Sequence, residues 1–247
     1  MTKAQHTALI TGSNKNIGRA CALALAKAGC NVVINGSRDR QAAEKVAMEA
    51  RERGVEALVA MGNVGVREDC MRIANESLAK FGAVDILVNN AAVREDGGFL
   101  DVTEDEWRRV MAINFDASYW LSRSLLPGML KKGWGRIINF AGMNAIHGYN
   151  GRAHVSASKH AAWGLTKALA KEFGPKGITT NIVSPGPIMG EEQDAVQAAH
   201  IKPMAARVPV GRLGTPDEVA AVVALLASEQ GSYINGQIIQ VNGGAET

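Results

Sequence analysis

Thr7-Ala8-Leu9-Ile10-Thr11-Gly12-Ser13-Asn14-Lys15-Asn16-Ile17-Gly18, running on as Arg19 to Gly29 (RACALALAKAG), is the stretch that decides how this chain folds. Ala8-Leu9-Ile10 is a short apolar run and reads as a buried strand. A turn bearing Gly12 and Gly18 follows, then a small-residue helix through Ala20, Leu23, Ala24 and Leu25 that stops at Gly29. A strand that passes through a glycine turn into a helix makes an anion site. The unpaired N–H groups of the first helical turn and the positive end of the helix dipole face whatever lies over the turn. A dinucleotide pyrophosphate is the usual occupant. The fingerprint for such a ligand has three glycines, and Asn16 stands where the middle one often lies. Asparagine tolerates the left-handed backbone region better than most residues, so the turn can survive the change. The competing reading is a glycine turn kept for packing alone.

Outward from this unit the pattern repeats. Strand Asn31–Asn35 precedes helix 40–53, Val55–Ala60 precedes 67–80, and Val84–Val88 precedes a loop and helix 104–131. Arg136–Phe140 then precedes helix 154–173. Ile178–Val183 leads into an irregular stretch, and helix 216–227 with strand Gln237–Val241 closes the chain. Strands that alternate with helices predict a parallel sheet with right-handed crossovers and both faces covered. The expected fold class is α/β, a doubly wound Rossmann-type domain spanning 1–247.

Composition narrows the function. A net charge of +3 without long basic runs argues against nucleic acid. Three cysteines, Cys21, Cys30 and Cys70, form no metal-binding or disulfide spacing and read as reduced core residues. No metal site is expected. No apolar stretch reaches the length of a signal sequence or a membrane span, so the expected location is cytoplasmic.

Individual residues then stand out. A carboxylate at the end of the second strand would grip a ribose 2′-hydroxyl. This chain instead offers Asn35, Gly36 and Ser37, with Arg38 beyond, and Arg38 and Lys15 together could pair with a 2′-phosphate. Asp39 reads as the N-cap of the next helix. The expected cofactor is NADP(H) ahead of NAD(H). Asn89 and Asn90 end the fourth strand, where open α/β sheets bind ligands, although two asparagines can also serve loop backbone groups. Asn114 lies on the stripe formed by Trp107, Val110, Met111, Ser118, Leu121 and Leu125. It either brackets neighbouring helix carbonyls or holds a water at a site. Lys159 shares a helix face with Val155, Ala162, Trp163, Thr166, Leu169 and Phe173. A lysine there is costly unless its ammonium finds partners or a ligand.

With Asn89-Asn90-Ala91, Gly135–Asn139, Ser156–Ala161, Ser184-Pro185-Gly186, Gly211–Ala220, Tyr233–Gln237 and Asn242-Gly243-Gly244 added in order, the chain resembles the short-chain dehydrogenase/reductase family, above all its ketoacyl-reductase-like members. The resemblance implies an NAD(P)-linked oxidoreductase acting on a small carbonyl or alcohol. It also implies a tetramer packed through helices 104–131 and 154–173. It puts the nucleotide against Gly12, Asn14, Lys15, Ile17, Gly18, Arg38, Asn63, Val64, Asn90, Ala91, Lys159, Pro185, Gly186 and Ile188. The family's catalysis uses an asparagine, a serine, a tyrosine and a lysine. The tyrosine protonates the carbonyl oxygen, and the lysine, one helical turn on, lowers its pKa.

Here the resemblance supplies Asn114 and Lys159, but Val155 stands at the tyrosine position and Gly142 at the serine position. Milder departures are Asn63 for an aspartate, Ala92 for a glycine, and Met189-Gly190 where a threonine is usual. A positioned general acid is worth about 10²–10⁴ in rate, and a carbonyl-oxygen donor roughly 10²–10³. The family's standard mechanism is therefore not expected. A relocated donor could come from His147, His154 or Tyr149, with Arg94 and Arg152 drawing an anionic substrate. Two alternatives stand beside it. One is a non-redox enzyme on the same fold that uses Lys159 and a histidine. The other is a catalytically silent nucleotide-binding subunit.

Overall fold

Seven parallel strands run side by side in the order β3-β2-β1-β4-β5-β6-β7. In this computed structural model, which describes residues 6–143, 147–190, 203 and 205–246, β1 is Thr7–Ile10, β2 Asn31–Ile34, β3 Ala57–Val59, β4 Ile86–Asn89, β5 Gly135–Phe140, β6 Ile178–Pro185 and β7 Ile238–Val241. The helices are α1 Asn16–Lys27, α2 Arg40–Arg51, α3 Arg67–Phe81, α4 Glu104–Met111, α5 Ala117–Lys132, α6 Ala153–Phe173 and α7 Pro216–Ala227.

Side-chain alternation along each strand explains the two covered faces. Ala8 and Ile10 of β1, Val32 and Ile34 of β2, and Ile86 and Val88 of β4 join one core with Leu25 of α1, Val46 of α2 and Val223 of α7. Leu9, Val33 and Leu87, between them in sequence, join a second core with Ile73 of α3, Leu121 and Leu125 of α5 and Leu169 of α6. A strand buried on both faces needs apolar residues at every position, which is why β1 reads as a continuous run rather than an alternation. The expected doubly wound α/β class is the observed one.

Boundaries moved where tertiary pairing decided them. β3 is shorter than Val55–Ala60 because, at the sheet edge, it pairs with β2 alone. β6 runs past Val183 to Pro185 because Ser184 and Pro185 pair with Gln240 and Val241 of β7. Helix 104–131 is a correction of larger kind. It is two helices joined by a π-helical turn, Ala112–Asp116. The apolar stripe does not reveal the break, since Val110, Ser118, Leu121 and Leu125 are all buried on either side of it. Such one-turn π segments often attend functional sites.

Asp39 caps α2 as expected, its Oδ1 accepting from the Ala42 N–H at 2.8 Å. The three cysteines are buried and free. Burial pushes the Cys21 and Cys70 thiols up to about 12 and Cys30 to about 11, which leaves them unreactive. At the entry to β5, the buried Arg136 guanidinium lies 4.2 Å from the Trp134 ring, and Trp134 stacks on His6 at 3.9 Å between centroids. Among the described residues no helix is long and apolar enough to cross a membrane.

Candidate active site

The sheet order reverses between β1 and β4, so the loops leaving these two strands diverge and open a crevice at their carboxyl ends. A cavity of about 440 Å³ occupies it. Its floor is the turn anticipated from Gly12 to Gly18. Asn16 has φ of 49°, the left-handed conformation its side chain was expected to tolerate. Gly12 also has positive φ, at 60°. At Gly18 the constraint is space, because an added Cβ would lie 2.2 Å from the Gly12 carbonyl oxygen and 2.6 Å from Asn90 Nδ2. Helix α1 has neither a side-chain N-cap nor an acidic residue in its first turn. Its positive end faces the cavity with no carboxylate in its own first turn to offset it. This suits a pyrophosphate, and the cradle is one that a side chain at Gly18 would fill.

Buried polar groups hold the turn in place. Thr11 Oγ1 accepts from the N–H groups of Asn90 and Ala91, each at 3.0 Å. Asn90 Nδ2 donates to the Thr11 and Gly12 carbonyls at 2.9 and 3.0 Å. Asn35 Oδ1 accepts from the Gly12 N–H at 3.2 Å, while its Nδ2 donates to Ala60 O at 2.9 Å. Asn90 thus serves the loop backbone and lines the cavity at once. Asn89 is tied into a buried chain, donating from Nδ2 to Asn139 Oδ1 at 2.8 Å, with Asn139 in turn donating to Thr166 Oγ1 at 2.9 Å. Thr11 belongs to the stretch from which the fold is read, Thr11-Gly12 to Gly18, but no separate role is drawn for it there. Its signal is its position at the exit of β1, directly before the glycine turn.

Gly12, Asn14, Lys15, Ile17, Gly18, Asn63, Val64, Asn90, Ala91, Gly186 and Ile188 all line the cavity, together with Arg94. Arg38 lines an adjoining hollow of about 650 Å³ with Lys15, Arg19 and Lys45. Asn14, Lys15 and Ser37 border both spaces. Arg19 and Lys45 could have been anticipated, since Arg19 follows Lys15 by one helical turn. Arg19 also pairs with Glu49 at 2.6 Å. Pro185 closes β6 and does not line the cavity.

Asn114 and Lys159, the groups expected to do chemistry, are not among the residues that line this cavity. Asn114, in the π-helical turn, brackets the Val93 peptide: Oδ1 accepts from its N–H at 2.8 Å and Nδ2 donates to its carbonyl at 3.0 Å. Its remaining bond runs from Nδ2 to Ser158 Oγ at 3.2 Å. The bracketed peptide belongs to the loop after β4, not to a neighbouring helix. Lys159 is 4 % exposed, and its Nζ donates to Phe140 O at 2.9 Å. Burial, helped by the positive charge of Arg94, lowers its pKa to about 7. Val155, one turn before it, is also buried, and Gly142 has φ of 118°.

The loop residues divide. His147 reaches the tail of the chain, its Nε2 2.5 Å from Glu246 Oε2. Arg152 is paired with Asp96 and lies over the Tyr149 ring at 5.0 Å. His154 is wholly buried on the side of α6 that faces α4. The structure therefore does not bring His147, His154, Arg152 and Lys159 together around one reacting atom. Loop polarity in sequence could not reveal that Glu246 and Asp96 occupy two of these groups.

The geometry has counterparts among known proteins. Residues 12–246 match a family model described as enoyl-(acyl carrier protein) reductase. The 3-oxoacyl-[acyl-carrier-protein] reductase FabG of Staphylococcus aureus is 36% identical over 244 residues, 99% of this chain and 98% of that protein. The chain belongs to the short-chain dehydrogenase/reductase family. Nodulation protein G of Azospirillum brasilense, 36% identical over 240 residues, is similar across 97% of this chain and 98% of its own. Two solved structures share the fold at a TM-score of 0.90. One, from Beutenbergia cavernae, was crystallised as a candidate NAD(P)-dependent gluconate 5-dehydrogenase with NADP bound at low occupancy; it is 36% identical and covers 98% of this chain and 97% of its own. The other, acetoin dehydrogenase YohF of Salmonella typhimurium, is 32% identical and covers 97% and 95%. The short-chain dehydrogenase/reductase fold thus accounts for nearly the whole chain.

Proposed function

We propose that this chain is an NAD(P)(H)-binding oxidoreductase of a small carbonyl or alcohol, with NADPH preferred to NADH and the family's tyrosine and serine absent from its site. The observation that carries the reading is the pair of adjoining hollows that share Asn14, Lys15 and Ser37. The first suits a pyrophosphate over the α1 terminus, and the second offers Arg38, Lys15 and Lys45 to a 2′-phosphate. Asp39, the carboxylate bordering the second hollow, is engaged by the Ala42 N–H. NADP bound to the Beutenbergia relative is consistent with this.

When bound, the nucleotide supplies hydride. The protein's part is orientation: the turn fixes the phosphates, and Arg94 at the cavity gives an anionic substrate a cation to meet. Proton delivery is the weak step, since valine at position 155 has no proton to give. Turnover of simple carbonyls is then expected about 10³-fold or more below a typical enzyme rate near 10 s⁻¹.

Tryptophan fluorescence during titration with NADPH and NADH tests the binding. Saturation by NADPH at lower concentration is the expected result, and no binding of either nucleotide, reduced or oxidised, would sink the proposal. Arg38→Ala should weaken NADPH by roughly 10- to 100-fold, the worth of one charge-assisted hydrogen bond, and leave NADH alone.

The buried Val155 also favours a second reading, a nucleotide-binding subunit without turnover of its own. Val155→Tyr separates the two. A gain in carbonyl reduction of about 10² or more would mean the remaining site is competent and lacks only its acid. No gain, with nucleotide binding intact, would favour the silent subunit.

A further inference from the structure

From the cluster around His154 we infer a divalent-metal site, independent of nucleotide binding, that would join the loop after β4 to helices α4 and α6. His154 occupies the first turn of α6 with no exposed surface, and among the described residues neither of its ring nitrogens has a hydrogen-bond partner. A buried imidazole left so is unfavourable for the fold until something meets its nitrogens. It does not point into apolar packing. Its Nε2 lies 3.5 Å from Glu106 Oε1, and one ligand atom each from His154, Glu106 and Glu95 falls within 4.8 Å of the others.

The 3.5 Å separation of His154 Nε2 and Glu106 Oε1 fits a shared cation better than an ion pair. A protonated histidine paired with a carboxylate would close to roughly 2.7–2.9 Å. Two ligands each about 2.0–2.2 Å from one tetrahedral ion lie about 3.4 Å apart. One neutral imidazole and two carboxylates balance a 2+ charge and leave a fourth position for water. Glu95 keeps its bond to Arg109 in this arrangement, because a carboxylate has two oxygens and a ligand carboxylate is commonly held by an outer donor. A mixed nitrogen and oxygen set without thiolate suits Zn²⁺, or Co²⁺ as its spectroscopic stand-in, better than Mg²⁺ or Ca²⁺.

The site ties together three separate parts of the chain: Glu95 from the loop, Glu106 from α4 and His154 from α6. Its role is to anchor that loop, which borders the cavity through Ala92, Val93 and Arg94.

Co²⁺ titration of the full chain, stripped beforehand with chelator, tests this through visible absorption. Zn²⁺ is followed in parallel by calorimetry. One ion per chain, bound tighter than about 100 µM, is expected. Glu106→Gln and Glu95→Gln, both at partly exposed positions, should each weaken binding at least tenfold while keeping the wild-type circular dichroism. Weaker or non-stoichiometric binding by the wild type would overturn the proposal. So would equal binding by both variants, which would assign the ion to histidines elsewhere, on the surface. Nucleotide titrations of the same variants keep this result separate from the oxidoreductase reading.

Discussion

At the scale of single residues, Lys159 carries the sharpest consequence. Its amine is buried, so the folded chain holds its pKa near 7 against an ordinary value of 10.5. Below pH 7 both folded and unfolded chains carry the charge, and the fold bears the full cost of burying it. Between about pH 7 and 10.5 the unfolded chain keeps a proton that the folded chain has released, so stability rises with pH across that window. Lys159→Met should therefore gain most over the wild type at pH 6, and the advantage should shrink by pH 10. Urea unfolding at the two pH values measures it; a constant difference would mean the amine is not desolvated. Gly18→Ala is the second residue-scale prediction. Its Cβ would meet the Gly12 carbonyl at 2.2 Å, so the turn must open, costing about 1–3 kcal/mol and most of the nucleotide affinity. Wild-type affinity in this variant would mean that the turn yields freely.

At the scale of elements, the joint between α4 and α5 sets the path of the loop after β4. The π-helical turn brings Asn114 to the Val93 peptide, and the asparagine there replaces a backbone partner on both sides. Asn114→Ala leaves that part-buried N–H and C=O without their side-chain partner, and a loss of about 1–3 kcal/mol is expected. Faster hydrogen exchange confined to the loop would locate the effect; unchanged exchange there would show that the bracket is redundant. The sequence made Asn114 visible as a polar residue on an apolar stripe. It did not show the π turn, because the stripe continues in phase through Leu121 and Leu125. Helix α7 was more legible, since Thr215, Pro216 and Glu218 spell out a capping box that the structure completes in both directions.

At the scale of the molecule, the parallel sheet was readable because the central strands β1, β2 and β4 are apolar on both faces and each crossover carries a helix. The crevice was readable because Gly12 and Gly18 lie at the switch in strand order. The chemistry was less so. His147 and His154 stand close in sequence, yet one meets the chain's tail and the other is enclosed beside α4, and no local pattern encodes that separation. Tetramer formation through α4, α5 and α6 is our proposal, with the exposed Tyr119 of α5 supporting it. Sedimentation should give four times the 26.1 kDa chain mass, and a single-chain mass would rule it out.

One arrangement at the opposite end of the sheet from the crevice has a practical use. Trp134, at the entry to β5, is enclosed by the His6 imidazole and the Arg136 guanidinium. The stacked imidazole can drain its excited state, so the folded protein should emit weakly from this indole and brighten when β5 detaches. The chain thereby contains its own optical gauge of sheet integrity, and six strand residues, about 20 Å, separate it from the nucleotide crevice.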